Sequence, residues 1–330
     1  MQKLTADTLK GNWATLMLPI NPDDSIDYDR LADEIDYLIA AGVDGIYSNG
    51  TAGEFHNQTE AEFDKINQLL SEKCLAASMR FQVGASHPSA ILSLERIKRA
   101  VSLKPDAFQV ILPDWVTATD TEQVEFLQRI AQEAKGIPLV LYNPPHAKSV
   151  LQPKEYLKFK DSVPELIGIK VLSGDMQWVE DMKIYASHLS IFVPGHFLAS
   201  GVKNQIASGA YSNVACINPM AAQKWWELMQ TNIEEALRIQ ENILTFFSEC
   251  ISPFQKQGYS NSALDKFLAV IGGWANIGTR LRWPYKWISE DEVLAVRNRA
   301  RRLIPEFFNS NSKPPAGTRV IAETKHVTKQ

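Results

Sequence analysis

The chain has 330 residues, 45% hydrophobic and 22% charged, with a net charge of −4; this is a globular composition with room for a large core, and its longest apolar runs have strand length rather than membrane-span length. No sizeable basic stripe crosses the body of the chain, which speaks against nucleic acid as a partner, and the opening Met1-Gln2-Lys3-Leu4-Thr5-Ala6-Asp7 has no apolar signal core. Cys74, Cys216 and Cys250 are too few and too scattered for a disulfide framework or a zinc knuckle, so they are expected as core or interface thiols of a cytoplasmic protein.

Short β-rich runs alternate with stretches of helical periodicity through the first two-thirds of the chain. Residues 13–18 read as the first strand. Residues 28–41 follow as a helix, with Leu31, Ile35, Leu38 and Ile39 at helical spacing and Gly42 as a natural C-terminal cap. After a second strand at 45–48, residues 59–70 open a helix on Thr59, with Glu62 three positions on as a possible capping box. Strands at 81–84 and 107–112 precede a helix at 121–134, which puts Val124, Leu127, Ile130 and Ala131 on one face before Gly136. Further strands are expected at 138–142, 166–171, 190–193 and 211–217. Eight such βα units predict an α/β protein with a closed (β/α)8 TIM barrel; a doubly wound open sheet is the structural rival.

Past Ile217 the strand pattern stops, and residues 221–230, 233–250, 262–271 and 290–307 read as helices. The expected organisation is a barrel over 1–225, a C-terminal helical extension over 226–308 packed on it, and a tail over 309–330 that is mobile or straps a neighbouring subunit.

Functional groups of such a barrel stand at the C-terminal ends of its strands. The run Leu166-Ile167-Gly168-Ile169-Lys170-Val171-Leu172 places one ammonium among apolar neighbours. A dry lysine is driven towards its neutral, nucleophilic form, which suits Schiff-base chemistry on a ketone; the plainer reading is a side chain that reaches water. Strand two ends in Gly50-Thr51-Ala52-Gly53-Glu54, where two glycines let backbone amides approach a carboxylate, or simply make a tight turn. Strand five ends in Tyr142-Asn143-Pro144-Pro145, placing a phenol at the same rim, either to relay protons or to pack. The six histidines show no metal-ligand spacing, so no metal is expected.

Gly50-Thr51-Ala52-Gly53-Glu54, Tyr142-Asn143-Pro144-Pro145 and Gly168-Ile169-Lys170 together resemble, in order and spacing, the dihydrodipicolinate synthase / N-acetylneuraminate lyase family of class I pyruvate-type aldolases, over about residues 10–308. The resemblance implies that Lys170 forms a Schiff base, that Tyr142 is the acid–base residue, and that Thr51 and Ala52, between Gly50 and Gly53, hold the carboxylate of an α-keto acid. It implies no cofactor and a homodimer or homotetramer. Relative to the synthases, Ala52 replaces a second threonine, Trp115 replaces a tyrosine contributed across a dimer interface, and Ala147, beside His146, replaces an arginine for a distal carboxylate. Relative to the sialic acid lyases, Gly195-His196-Phe197-Leu198 replaces an acidic pair. The expected activity is therefore cleavage of a 2-keto-3-deoxy sugar acid or a related 4-hydroxy-2-keto acid to pyruvate and an aldehyde; dehydration through the same imine, or dihydrodipicolinate synthesis proper, is the alternative, and a non-catalytic keto-acid sensor is the alternative from another class. His146, His196 and Tyr211 are expected to touch the substrate unless they are structural, and Trp115 walls the pocket or, preferably, fills a subunit interface.

Overall fold

In the computed structural model, residues 2–309 are described. The expectation for the tail thus lies outside the described residues, apart from Asn309.

Eight parallel strands close a barrel: β1 (Gly11–Thr15), β2 (Gly45–Tyr47), β3 (Phe81–Gly84), β4 (Ala107–Val110), β5 (Leu139–Tyr142), β6 (Leu166–Lys170), β7 (Ser190–Phe192) and β8 (Gly209–Tyr211). β1 pairs with both β2 and β8, through Trp13 with Gly45 and with Tyr211, so the sheet has no edge and the open-sheet rival is excluded. The helices α1 (Tyr28–Ala40), α2 (Glu60–Ala76), α3 (Ala90–Ala100), α4 (Asp120–Glu133), α5 (Leu157–Lys160), α6 (Met176–Tyr185), α7 (Leu198–Lys203) and α8 (Asn213–Ile217) each follow a strand. They are followed by α9 (Pro219–Thr231), α10 (Ile233–Phe246), α11 (Ser252–Lys256), α12 (Asn261–Gly272) and α13 (Val293–Leu303). None of the described helices is long and apolar enough to cross a membrane.

The apolar residues divide into two clusters. The larger lies between sheet and helices; the smaller fills the barrel with Trp13, Tyr47, Val140, Phe192 and Tyr211, and takes in Leu4 and Leu9 from the N-terminal segment. Local chemistry sets several boundaries. Gly42 takes φ +68° after α1, the left-handed turn that spares a Cβ clash. Thr59 and Glu62 make the reciprocal capping box of α2, and Thr119 with Glu122 make another, which starts α4 one residue before the expected position.

Three expectations are corrected. The eighth strand is Gly209–Tyr211 rather than 211–217, because the Ser212 hydroxyl accepts the Ala215 N–H at 3.0 Å and starts α8 where an apolar run was read as strand. The helix expected at 233–250 stops at Phe246 and widens into a π-turn over Phe247–Ile251 before α11. Pro253 lacks an N–H and its ring would clash with the carbonyl four residues back, and the wider turn relieves both problems. The helix expected at 290–307 is α13 flanked by single 3-10 turns, with Ile304 held at φ −130° ahead of Pro305.

Candidate active site

Lys170 faces the barrel interior because β6 carries one residue more than its neighbour. Leu139 of β5 pairs with Leu166, but Val140 pairs with Gly168, which leaves Ile167 as the extra residue. Ile167 packs in the interior cluster while Ile169 packs on the outer one. Strict alternation from Ile167 would turn Lys170 outward; the bulge resets the phase and aims it inward, beside its pairing partner Tyr142.

The Lys170 Nζ lies 4.3 Å from the centroid of the Tyr142 ring, 5.1 Å from that of Tyr47 and 5.4 Å from that of Tyr211. Burial among these rings lowers its pKa to about 8, partly opposed by the nearby Asp265 and Cys216. The Tyr142 hydroxyl is 3.3 Å from the Thr51 Oγ1; burial raises the phenol's pKa and the threonine contact draws it back.

Thr51 is held from two directions. Its carbonyl accepts the Ser262 hydroxyl of α12 at 2.7 Å, and three residues on Glu54 meets Lys266 of the same helix at 2.6 Å, with 1% and 0% of their side chains exposed. Lys266 also donates to the Arg280 carbonyl at 2.7 Å, and the Arg282 N–H donates to the other Glu54 oxygen at 3.2 Å. The loop after β2 is thus fastened to the C-terminal helices by a buried ion pair, both members of which hold a further hydrogen bond to the backbone.

These side chains open into a cavity of about 540 Å³ between the strand ends and the helices α10 to α12. Thr51, Ala52, Tyr142, Lys170, His196 and Tyr211 all line it. Tyr211 presents its ring, while its hydroxyl donates to the Gln82 Oε1 at 2.7 Å inside the barrel. The His196 ring stacks on Phe247 at 5.0 Å, and its Nδ1 is 2.8 Å from the Asn213 side-chain nitrogen. Burial lowers the His196 pKa, which keeps the imidazole neutral at neutral pH.

Four of the residues expected to touch a ligand stand outside this lining. Gly50 and Gly53 serve packing: a Cβ at Gly50 would lie 2.6 Å from the Tyr47 ring and one at Gly53 2.9 Å from the Leu16 carbonyl. His146 is exposed on the loop after β5. Trp115 is 80% exposed, with the Lys148 ammonium 4.8 Å from its ring centroid, so it does not wall the pocket.

Sequence reasoning missed Asp265. It lines the cavity from α12, and burial lifts its carboxyl to about 7 despite the opposing pull of Lys170. The available signal was the pair Asp265-Lys266 inside an otherwise apolar helix, a pattern that has to be explained by partners or by chemistry. Cys216 lines the cavity too, and burial raises its thiol well above the usual range. All three cysteines are free and buried. Among the described residues no cluster of His, Cys, Asp and Glu side chains is arranged to hold a metal ion.

A depressed amine beside a phenol, with a hydroxyl and a chain turn next to them, can form an imine with a keto acid and move protons around it. The sequence matches the dihydrodipicolinate synthetase family over residues 8–302. It is 25% identical over 213 residues to the N-acetylneuraminate lyase of Escherichia coli K12, an alignment that covers 62% of this chain and 70% of that protein. Among solved structures, the fold is similar to that of a sialic acid aldolase catalytic lysine mutant from Ruminococcus gnavus, with a TM-score of 0.79 and 19% identity over 93% of this chain and 99% of that one. It is also similar to YagE, a prophage protein of the dihydrodipicolinic acid synthase family from Escherichia coli K12 in complex with pyruvate, with a TM-score of 0.78 and 19% identity over 89% and 98% of the two chains. The chain therefore belongs to the dihydrodipicolinate synthetase family and is a lyase of the class I type, which works through a lysine Schiff base.

Proposed function

We propose that the protein cleaves a 2-keto-3-deoxy sugar acid, or a related 4-hydroxy-2-keto acid, to pyruvate and an aldehyde, with Lys170 as the imine-forming residue and Tyr142 as the acid–base residue. The observation that carries this reading is the Lys170 amine, brought down to about 8 in a cavity that also receives the Tyr142 hydroxyl and Thr51. Neutral Lys170 attacks the ketone, and loss of water gives a cationic imine that serves as an electron sink. Tyr142 takes the proton of the C4 hydroxyl as the C3–C4 bond breaks, and the electron pair of that bond moves into an enamine of pyruvate. Reprotonation at C3 and hydrolysis then release pyruvate. The pyruvate complex of YagE and the catalytic lysine of the Ruminococcus gnavus aldolase support the same assignment by analogy.

The rest of the lining favours an uncharged tail on the substrate. Lys170 is the only cation among the described residues that line the cavity, while Asn213, Ser248, Ser252, Gln255 and Asn261 supply neutral hydrogen-bonding groups. Such groups suit hydroxyls, and a second carboxylate, as dihydrodipicolinate synthesis requires, has no cation to meet. A dehydratase would use the same imine, acidify C3 and expel a hydroxyl.

Incubation with pyruvate and borohydride, followed by intact mass and peptide mapping, tests the imine. A reduced pyruvyl adduct on Lys170 is expected. An adduct only with longer keto acids would move the reading to dehydration, and none with any keto acid would remove the covalent mechanism.

A further inference from the structure

The cavity has two walls of different origin. The barrel supplies Lys170, Tyr142 and Thr51; the C-terminal helices supply Asn261, Leu264, Asp265 and Leu268, one stripe of α12 at helical spacing. Lys170 and Asp265 are the only charged side chains among the described residues lining it. They stand on opposite walls, farther apart than the 4.0 Å of an ion pair, and the Asp265 carboxyl has no hydrogen bond or ion pair among the described residues. The helix that carries Asp265 is anchored against the barrel, since Ser262 and Lys266 tie α12 to the Thr51 carbonyl and to Glu54. A carboxyl that lines a cavity without a protein partner is placed for a ligand.

We propose that Asp265 is a second catalytic acid–base residue, which protonates the hydroxyl lost when the adduct on Lys170 becomes an imine. This rests on the Schiff-base reading above and assigns a step that Tyr142 does not have to carry. In the carbinolamine, the C2–O bond breaks with its electron pair going to oxygen, the oxygen takes the Asp265 proton and leaves as water, and the nitrogen lone pair forms the C2=N bond. A neutral acid and a neutral adduct become a carboxylate, an iminium and water, and the carboxylate remains as the counter-charge of the iminium. Hydrolysis runs the same proton backwards.

The electrostatics agree with this. With Lys170 brought down to about 8 and Asp265 lifted to about 7, burial pushes both groups towards their neutral forms, and the two titrate as a coupled pair around neutrality. Other titratable groups that face Asp265 are Tyr47 of β2, Tyr142 of β5 and Cys216 of α8, each neutral at this pH because burial raises its pKa. Tyr211 and the neutral His196 complete the lining, and Lys266 on α12 itself is neutralised by Glu54.

The test is the rate of pyruvate trapping by cyanoborohydride, read by intact mass between pH 5.5 and 9.5, on the parent, Asp265→Asn and Asp265→Ala. The parent is expected to give a bell. The rate falls below about 7, where amine and carboxyl both carry protons, and above about 8, where neither does. Asp265→Asn should slow trapping about 10²-fold or more, the usual worth of a general acid, and lose the alkaline limb. Acetate should restore part of the rate in Asp265→Ala. If Asp265 only tuned charge, its removal would lower the Lys170 pKa and speed trapping at pH 7, so a parental or faster rate in Asp265→Asn overturns the role. A slow variant whose bell is unchanged and which acetate does not rescue overturns it as well. An unlabelled parent would instead overturn the imine reading itself.

Discussion

Lys170 owes its chemistry to its neighbours rather than to its identity. Three tyrosine rings surround its amine, and taking the ammonium out of water costs more than the Asp265 and Cys216 fields return, which leaves the pKa at about 8. Lys170→Ala is expected to abolish both adduct formation and cleavage; turnover near the parental rate would sink the mechanism. Tyr142→Phe keeps the ring against the amine and removes only the hydroxyl that meets Thr51, so trapping of pyruvate should persist while cleavage slows about 10² to 10⁴-fold. Equal losses in both measurements would place Tyr142 in imine formation instead. That Lys170, Tyr142 and Thr51 meet at one mouth of the barrel was legible in the sequence, because each ends a β-rich run or lies in the loop after one. Asp265 was not legible as a site residue. Nothing in a helical pattern says which barrel mouth a helix will cover.

At the scale of elements, two irregularities position the site. The extra residue in β6 turns Lys170 inward, and the π-turn at Phe247–Ile251 lays Phe247, Ser248 and Ile251 along the cavity. The buried pair of Lys266 and Glu54 joins α12 to the loop after β2, so the helical layer and that loop are one mechanical unit. Lys266→Met would leave Glu54 buried without its cation, a change expected to cost about 3–5 kcal/mol in urea unfolding, whereas Lys73→Met, which breaks an exposed pair with Asp36, should cost under about 1 kcal/mol. Equal small losses in the two variants would show that the buried pair is not the fastening. The capping box of α2 was legible as Thr59 and Glu62, three positions apart, whereas that of α4, at Thr119 and Glu122, lies ahead of the start expected at 121. The π-turn could not, because a proline predicts trouble in a helix but not which relief the helix adopts.

For the whole molecule, the outer face around α3 and α4 carries an exposed apolar patch: Ile91, Trp115 and Val116 are 67%, 80% and 75% exposed. Large aromatics left in water in such company mark contact surfaces more often than isolated residues do. A homodimer or homotetramer is the expected assembly, and Trp115→Glu should shift it to a smaller species in size-exclusion chromatography with light scattering. A parent that runs as a monomer would remove the interface role of Trp115.

The sequence by itself determined the order of elements, the barrel, and the residues that end strands at its mouth, since periodicity and turn chemistry act over a few neighbours along the chain. Only the tertiary structure decided the rest. The inward phase of Lys170 depends on a pairing shift between two strands. The burial that lowers its pKa comes from rings on three other strands, and Asp265 reaches it from a helix more than ninety residues further on. Register, desolvation and the meeting of distant charges are properties of the packed chain, and local pattern carries no record of them.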